Sequence, residues 1–392
     1  MWIGIAILIV YHLLILYIGW NGWVWLATMF PQQMLPRYVW VIVLLILAYA
    51  LFLGFWQSEI SAFKWIGAVW IALVYFSVLW LPVMNLILWL LRWSPLSMTT
   101  AVIWAGWLTL AGLILTVCIG AYNAYSPVVR SYAIEIDKPV TGKSELNIVM
   151  ASDMHFGALS NESHARRLVE GVNALKPDLI LLPGDIIDDN LLYYTKTDIP
   201  NILKGFQAPV YSSLGNHDRF EQGVDLVDVL NKSNLHVLYD ESVVLDNGIT
   251  LVGRRDYSDR PRTELGKLLD EVDHTHPVIV LDHQPYELDA EQKLGTDLVL
   301  SGHTHRGQMA PFSLVTKRIF ENDWGYLRKG QLHSIVSSGF GFWGSPLRIG
   351  TRSEIVQIHV KFRGAAAGAD VNTGAGSSGG TTGASVSGDG GA

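Results

Sequence analysis

The feature that most constrains this chain is the near-absence of charge from its first 125 residues, where Arg37, Glu59, Lys64 and Arg92 are the only charged side chains. A bilayer core of about 30 Å needs about 20 apolar residues in a helix rising about 1.5 Å per residue. Four stretches reach that length: Trp2–Trp20, Tyr38–Trp56, Trp65–Leu91 and Thr100–Tyr122. The third is long enough to tilt, or to kink at Pro82. Thirteen of the fifteen tryptophans fall in this region, and Trp20, Trp40, Trp56, Trp65 and Trp93 stand near span ends, where an interfacial belt forms. The first stretch lacks a basic n-region and three more follow, so it reads as anchor rather than cleaved signal. The expectation is a multi-pass protein of the cell membrane with four spans in residues 1–125. His12 is the one histidine within them, and no carboxylate or cationic side chain accompanies it, which favours an anchor over a transport path.

An even number of spans puts both flanks on one side of the membrane. Lys and Arg are spread almost evenly over the connections, so charge barely decides the side. An extracytoplasmic domain is the expectation adopted. The chain carries a formal charge of −7, and with +2 in the first 125 residues the remainder holds −9. Such a surface repels polyphosphates, and no nucleic-acid partner is expected. Cys118 is the single cysteine, which excludes an internal disulfide and a cysteine-based zinc site. Residues 364–392 are almost all Gly, Ala, Ser and Thr, too poor in large apolar side chains to offset chain entropy, and are expected to be a disordered tail.

Residues 126–363 read as one domain. Short apolar runs at Leu146–Ala151, Leu179–Leu182, Val210–Leu214, Val278–Leu281, Leu298–Leu300, Ser334–Val336 and Ile355–Val360 predict strands. Helical patterns cover Glu162–Ala174, Ile199–Lys204, Val224–Asn231 and Arg262–Val272. Asp246-Asn247-Gly248 predicts a hairpin turn between Ser242–Leu245 and Thr250–Val252. The alternation implies an α/β domain with substantial parallel sheet.

What ends each strand is more telling. The first runs into Asp153-Met154-His155 and the second into Gly184-Asp185-Ile186-Ile187-Asp188. The third runs into Gly215-Asn216-His217-Asp218, the fourth into Asp282-His283, and the fifth into Gly302-His303-Thr304-His305. Ligands of open α/β sheets bind beyond the carboxyl ends of strands. One cluster alone is an ordinary turn; five in succession are hard to explain by packing. The donors are carboxylate, imidazole and amide without thiolate, a set suited to Mn, Fe, Zn or Ni. They outnumber what one tetrahedral ion uses, whereas two divalent ions bridged by one carboxylate would use them fully.

This motif series resembles that of the calcineurin-like metallophosphoesterases, from about Leu146 to Val360, and is similar in particular to their bacterial membrane-associated branch. The segment Gly339–Arg348 (GFGFWGSPLR) adds to that likeness. The resemblance implies a double β-sandwich flanked by helices. It implies that Asp153, His155, Asp185 and His305 hold a first metal, and that Asp185 bridges to a second held with Asn216, His283 and His303. It implies that His217 contacts the phosphate and protonates the leaving group, with Asp218 orienting its imidazole and Asp188 outside the ligand set. A metal-bound hydroxide would be the nucleophile, with no covalent intermediate. Arg306 stands where the family usually has a small residue. Arg254, Arg255 and Arg348 are candidates for phosphate contact, while His164, His236, His274, His276, His333 and His359 read as structural or solvent-exposed. The expected function is a membrane-anchored phosphate-ester or diphosphate hydrolase, with a lipid-linked substrate in view because of the anchor. The alternative is a membrane sensor or scaffold that binds metal without turnover. Specificity is expected from loops at Leu191–Lys196 and Pro311–Gly330.

Overall fold

The computed structural model describes residues 2–56, 61–188, 191–218 and 225–363. The tail expected at 364–392 lies outside them. Four helices open the chain: α1 (Trp2–Met29), α2 (Leu35–Trp56), α3 (Ser61–Leu91) and α4 (Met98–Tyr125). Among the described residues, three helices are long and apolar enough to cross a membrane: α1, α3 from Ala62 onward, and α4. The apolar stretch counted in α2, Leu35–Ala50, is shorter. α3 runs through Pro82 as one helix. Ile15, Ile18, Leu44, Ala48, Trp70 and Val74 pack together between α1, α2 and α3. Polar groups are satisfied internally there, as an apolar surround demands. The Trp70 indole donates to the Tyr11 hydroxyl (2.9 Å), which donates to the Ala48 carbonyl (2.8 Å).

The rest of the chain supplies β1 (Val128–Ile136), β2 (Glu145–Met150), α5 (Glu162–Ala174), β3 (Leu179–Pro183), α6 (Leu191–Lys196), α7 (Ile199–Leu203), β4 (Val210–Ser213), α8 (Leu226–Asn231), β5 (His236–Val237) and β6 (Glu241–Val244). Then come β7 (Thr250–Gly253), α9 (Leu265–Leu269), β8 (Val278–Leu281), α10 (Leu288–Lys293), β9 (Leu298–Ser301), a 3₁₀ turn (His305–Gly307), α11 (Ser313–Ile319), β10 (Gly325–Lys329), β11 (Leu332–Val336) and β12 (Glu354–Phe362).

Two six-stranded sheets result, ordered β1-β12-β2-β3-β4-β5 and β10-β11-β9-β8-β7-β6. Both are mixed: β12 pairs antiparallel with β2, β10 with β11, and β6 with β7, and the remaining pairings are parallel. One apolar cluster draws Ile148, Met150 and Leu181 from the first sheet and Leu251, Ile279, Leu281 and Leu300 from the second. The first sheet's other face packs on α5, α7 and α8, and the second's on α9 and α10. β3, β8, β9 and β11 are buried throughout, which is why β3, β8 and most of β9 read as continuous apolar runs. α5 starts at Asn161, whose side chain accepts from the Ser163 amide, and buries Ala165, Leu168, Val169 and Val172 on one stripe. The hairpin turn forms as expected, with the Leu245 amide donating to the Ile249 carbonyl (2.8 Å).

Three expectations need correction. The helix expected over Arg262–Val272 shrinks to α9, because the Thr263 amide donates to Asp240 and Arg262 reaches Asp282, which together hold residues 262–264 out of the helix. Leu191–Lys196 is the helix α6 rather than a loop, with Leu191 and Tyr194 buried. The span Pro311–Gly330 contains α11 and most of β10.

The apolar helices and the mixed-sheet domain share an interface. The Asn123 side chain donates to the Arg348 carbonyl (3.1 Å), the Arg348 amide to the Gly120 carbonyl (3.0 Å), and the Ser353 hydroxyl to the Ala124 carbonyl (2.7 Å). Leu347 packs with Ala72 and Phe76, bordered by Tyr75, Leu113, Val117, Met309 and Ile349.

Candidate metal centre

Every motif cluster sits just past the carboxyl end of a strand: Asp153 and His155 after β2, Asp185 after β3, Asn216 to Asp218 after β4, His283 after β8, and His303 and His305 after β9. Because β2, β3 and β4 run parallel, as do β8 and β9, their ends face the same way and the side chains converge. His155 Nε2 lies 3.2 Å from His305 Nε2, and the latter 3.5 Å from Asp153 Oδ1. Asp185 Oδ2 lies 3.1 Å from His283 Nε2 and 3.6 Å from His155 Nε2, within reach of both histidines. Asn216 Oδ1 and His303 Nδ1 are 2.8 Å apart. Ligand atoms of Asp153, His155 and His305 lie within 4.8 Å of one another, and so do those of Asp153, Asp185 and His283. All seven residues expected to bind metal are therefore brought to one place. A cleft of about 470 Å³ opens beside the Asn216–His303 pair, lined also by Asp256, Asp259 and Gln284.

The donors fit divalent ions. Asp153, His155, Asp185, His283 and His305 are buried, yet His155 Nδ1 and His283 Nε2 make no well-aligned hydrogen bond among the described residues and face only carboxylates, Asp188 Oδ1 at 3.6 Å and Asp185 Oδ2 at 3.1 Å. Buried ring nitrogens without a well-aligned partner cost free energy unless a ligand satisfies them. Asp153, His155, Asp185, His303 and His305 all adopt positive φ, between 46° and 68°. Such strain gathers where side chains must be aimed.

Charge within the cluster is unevenly held. Burial alone would raise Asp185, but His283, His155 and His217 hold its carboxyl well below the usual range. Burial lowers His283, and the Asp185 carboxylate more than reverses this, leaving the ring well above its ordinary value. His155 is likewise raised, against burial, by Asp188 and Asp185. His303 falls to about 4, through burial and then the charge of His283. His305 falls far below its ordinary value through burial and then Arg348. The lowered values favour the neutral, ligating form of His303 and His305, whereas the raised ones favour the protonated form of His155 and His283, with which a metal would compete.

Two motif glycines are required by close approach. A Cβ on Gly215 would collide with Asp185 Oδ1, and one on Gly302 with Asp153 Oδ2. Gly215→Ala is expected to displace the Asp185 carboxylate and to weaken metal binding at least about tenfold, read by calorimetric titration. Affinity equal to the parent chain would show that the carboxylate has room to move.

Other expected residues settle differently. His217 sits at the rim, its amide donating to Asp185 Oδ1 (2.8 Å) and its ring centroid 5.0 Å from that of His155. Asp218, expected to orient the His217 imidazole, bonds to the backbone of two turns. Its oxygens accept from the amides of Ile186 (3.2 Å), Ile187 (2.9 Å) and Gly215 (2.9 Å). It clasps the turn after β3 to the turn after β4, and burial followed by the nearby Asp185 charge pushes it up to about 7. Asp188 Oδ1 approaches His155 Nδ1 at 3.6 Å, beyond hydrogen-bond length, and groups with His155 and His217.

The three arginines expected to contact phosphate, and Arg306 beside the last motif, all have partners within the chain. Arg306 stacks over Trp324 (3.8 Å), and Arg255 over Tyr239 (4.1 Å). Arg254 is buried and paired with Asp282 (3.0 Å), so Asp282 belongs to an ion pair rather than to the donor set. Arg348 is fully buried and spans from backbone carbonyls to His305 Nδ1 (3.1 Å). Sequence reading missed two supports. The Ser152 hydroxyl donates to Asp153 Oδ2 (2.5 Å), with only its place before the aspartate as a clue. Gln308 grips Trp343, its amide donating to the Trp343 carbonyl while its Oε1 accepts from the Trp343 amide, both at 2.9 Å, and no local pattern marks it.

The calcineurin-like phosphoesterase family profile matches residues 146–307, the stretch that carries all seven donors. An uncharacterized metallophosphoesterase of Aquifex aeolicus is 32% identical over 64% of this chain and 100% of its own length. One from Helicobacter pylori is 35% identical over 60% of this chain, which spans 64% of that relative. A zebrafish (Danio rerio) protein described as a transmembrane protein with metallophosphoesterase domain is 28% identical over 64% of this chain and 62% of its own length. On the match to the full Aquifex chain and on the shared motif series, this chain belongs to the calcineurin-like metallophosphoesterases.

Proposed function

We propose that this protein is a membrane-anchored phosphoric ester hydrolase that works with two divalent metal ions. The observation that carries the reading is the convergence of seven carboxylate, imidazole and amide donors at strand ends, beside an eighth residue, His217, at the open rim. Asp153, His155, Asp185 and His305 would hold one ion, and Asp185, Asn216, His283 and His303 the other. When bound, the ions would polarise a phosphoryl oxygen and lower the pKa of a coordinated water. The chain's own groups do the rest. Asp185 lies where one carboxylate can serve both ions, and its other oxygen fixes the His217 amide. His217 is placed to protonate the departing oxygen. Asp218 holds the turn that carries His217. In this reading residues 1–125 form a four-span anchor, 126–363 a double β-sandwich domain on the extracytoplasmic face, and 364–392 a disordered tail.

The test uses the full chain in lipid nanodiscs, stripped of metal and reloaded with Mn. Hydrolysis of a chromogenic phosphate diester and of the matching monoester is then followed. Metal-dependent turnover is expected, and His217→Ala should lower kcat about 10²–10⁴-fold with metal content retained. Full metal occupancy with no turnover of either ester would replace this reading by the sensor or scaffold.

A further inference from the structure

We infer that the edge of the metal centre formed by α11 and Trp343 is seated in the bilayer surface, and that the site takes a phosphate carried by a membrane lipid. This rests on the anchored-hydrolase reading above and names the substrate class for the same site.

The carrying observation is an exposed apolar strap continuous with the apolar helices. Phe312, Leu314, Val315 and Ile319 are 54%, 65%, 41% and 54% exposed, an unusual density of large apolar side chains for a surface facing water. Pro311 is exposed beside them, the charged neighbours Lys317 and Arg318 are both cationic, and there is no carboxylate between Arg306 and Phe320. A short segment with apolar side chains and flanking cations suits an interface with anionic lipid.

Its depth follows from what it touches. The strap begins at Met309 and Ala310, whose carbonyls accept from the Tyr75 hydroxyl of α3 at 3.4 and 3.1 Å. Met309 also borders the cluster of Ala72, Phe76 and Leu347, along with Leu113 and Val117 of α4. Tyr75 lies near the middle of α3 and Leu113 near the middle of α4. Exposed apolar side chains continue past both levels towards the domain, at Ile71 and Ile66 on α3 and at Ile114, Leu115 and Ile119 on α4. The start of the strap is therefore level with helix surface that is itself built for lipid. Only a domain sunk against the membrane meets the helices at that level.

The strap is tied to the metal donors at both ends. His305 is four residues before Met309, and Phe320, which follows α11, has its ring 5.9 Å from that of His303. Trp343, 57% exposed and gripped by Gln308, has its ring 6.1 Å from that of His217. A lipid could thus bring its head-group phosphate to the donors while its chains stay in the bilayer. A soluble ester would make no use of the strap.

Cys118 is the single cysteine, so a Cys118→Ser background permits site-directed nitroxide labelling of the full chain. Leu314→Cys is compared with Val244→Cys, which is 67% exposed on β6 of the second sheet. In nanodiscs containing anionic lipid, relaxation by oxygen should dominate at 314 and relaxation by a water-soluble nickel chelate at 244. A label at 314 relaxed mainly by the chelate overturns the inference, whatever the activity. In a second arm the Mn-loaded protein is offered phosphatidic acid in the disc and a soluble chromogenic monoester. Leu314→Asp combined with Val315→Asp should lower the ratio of lipid to soluble turnover about tenfold or more, since each residue loses the gain from leaving water. An unchanged ratio overturns the lipid substrate. A lipid-facing label with no turnover of either ester overturns the hydrolase reading and supports the placement of the strap.

Discussion

Asp185→Asn is expected to fold and to lose its metals. The substitution keeps an acceptor at Oδ1 for the His217 amide, so the turn after β3 retains its contact with the turn after β4. At Oδ2 it puts an amide NH₂ where a carboxylate oxygen lies 3.1 Å from His283 Nε2 and 3.6 Å from His155 Nε2. The charge that the two proposed ions would share disappears from the middle of the cluster. Loss of a partner outside the ligand shell commonly costs about 10–100-fold in metal affinity, and removal of the shared carboxylate should cost more. The expected result is a thermal midpoint near that of the parent chain, metal content well below two ions per chain, and hydrolysis at background. The parent chain should also bind metal more weakly as pH falls. His155 and His283 have raised pKa values, so below those values each ring is protonated and the metal must compete with a proton. That dependence should flatten in Asp185→Asn, because the carboxylate that raises both histidines is gone. Calorimetric titration at several pH values reads both effects, and a variant that binds two ions as tightly as the parent would refute the shared-carboxylate assignment.

Arg348→Met is expected to act on stability first. The Arg348 side chain is fully buried, and its guanidinium donates to the carbonyls of Ser338 (2.6 Å) and Gly341 (2.7 Å) and to the Thr351 hydroxyl (3.3 Å). Methionine fills similar volume but leaves those acceptors unsatisfied, at about 1–3 kcal/mol each before relaxation. A loss of about 2–4 kcal/mol follows once the relief from burying a charge is set against it. In a domain of this size each kcal/mol corresponds to about 2–4 °C, so differential scanning fluorimetry should show the drop readily. The segment Arg348 restrains also holds the first motif, the Phe340 amide donating to the Ser152 carbonyl and the Gly341 amide to the Asp153 carbonyl, both at 2.8 Å. Metal affinity should therefore fall with stability. A folded variant with an unchanged midpoint would show that the carbonyls find other donors.

Much of the centre is legible before any coordinates, for a physical reason. Each donor closely follows an apolar run, and Gly215 and Gly302 stand where a Cβ would meet a carboxylate oxygen. Strand, turn and ligand are local in sequence, so periodicity and composition find them together. What depends on distant partners is not legible. Arg348 looks like a phosphate clamp in sequence, and only the fold shows it turned inward to carbonyls. Asp218 sits next to His217 in the chain, yet its carboxylate bonds to amides 31 and 32 residues away. Arg262–Glu264 scores as helix until the pull of Asp240 and Asp282 is known. β1 escapes notice because its alternating burial follows directly on α4, where hydrophobicity signals a helix.

The order β1-β12-β2 bears on how the protein is made. β12 lies between the two strands that come first in the domain, pairing Val128 with Glu354 at one end and Ile136 with Phe362 at the other. During translation β1 leaves the ribosome some 220 residues ahead of β12, its one sheet neighbour among the described residues. The segment joined to α4 must therefore wait without its strand partner until synthesis reaches residue 354, so the mixed-sheet domain closes its first sheet only after the apolar helices and every donor residue have been made.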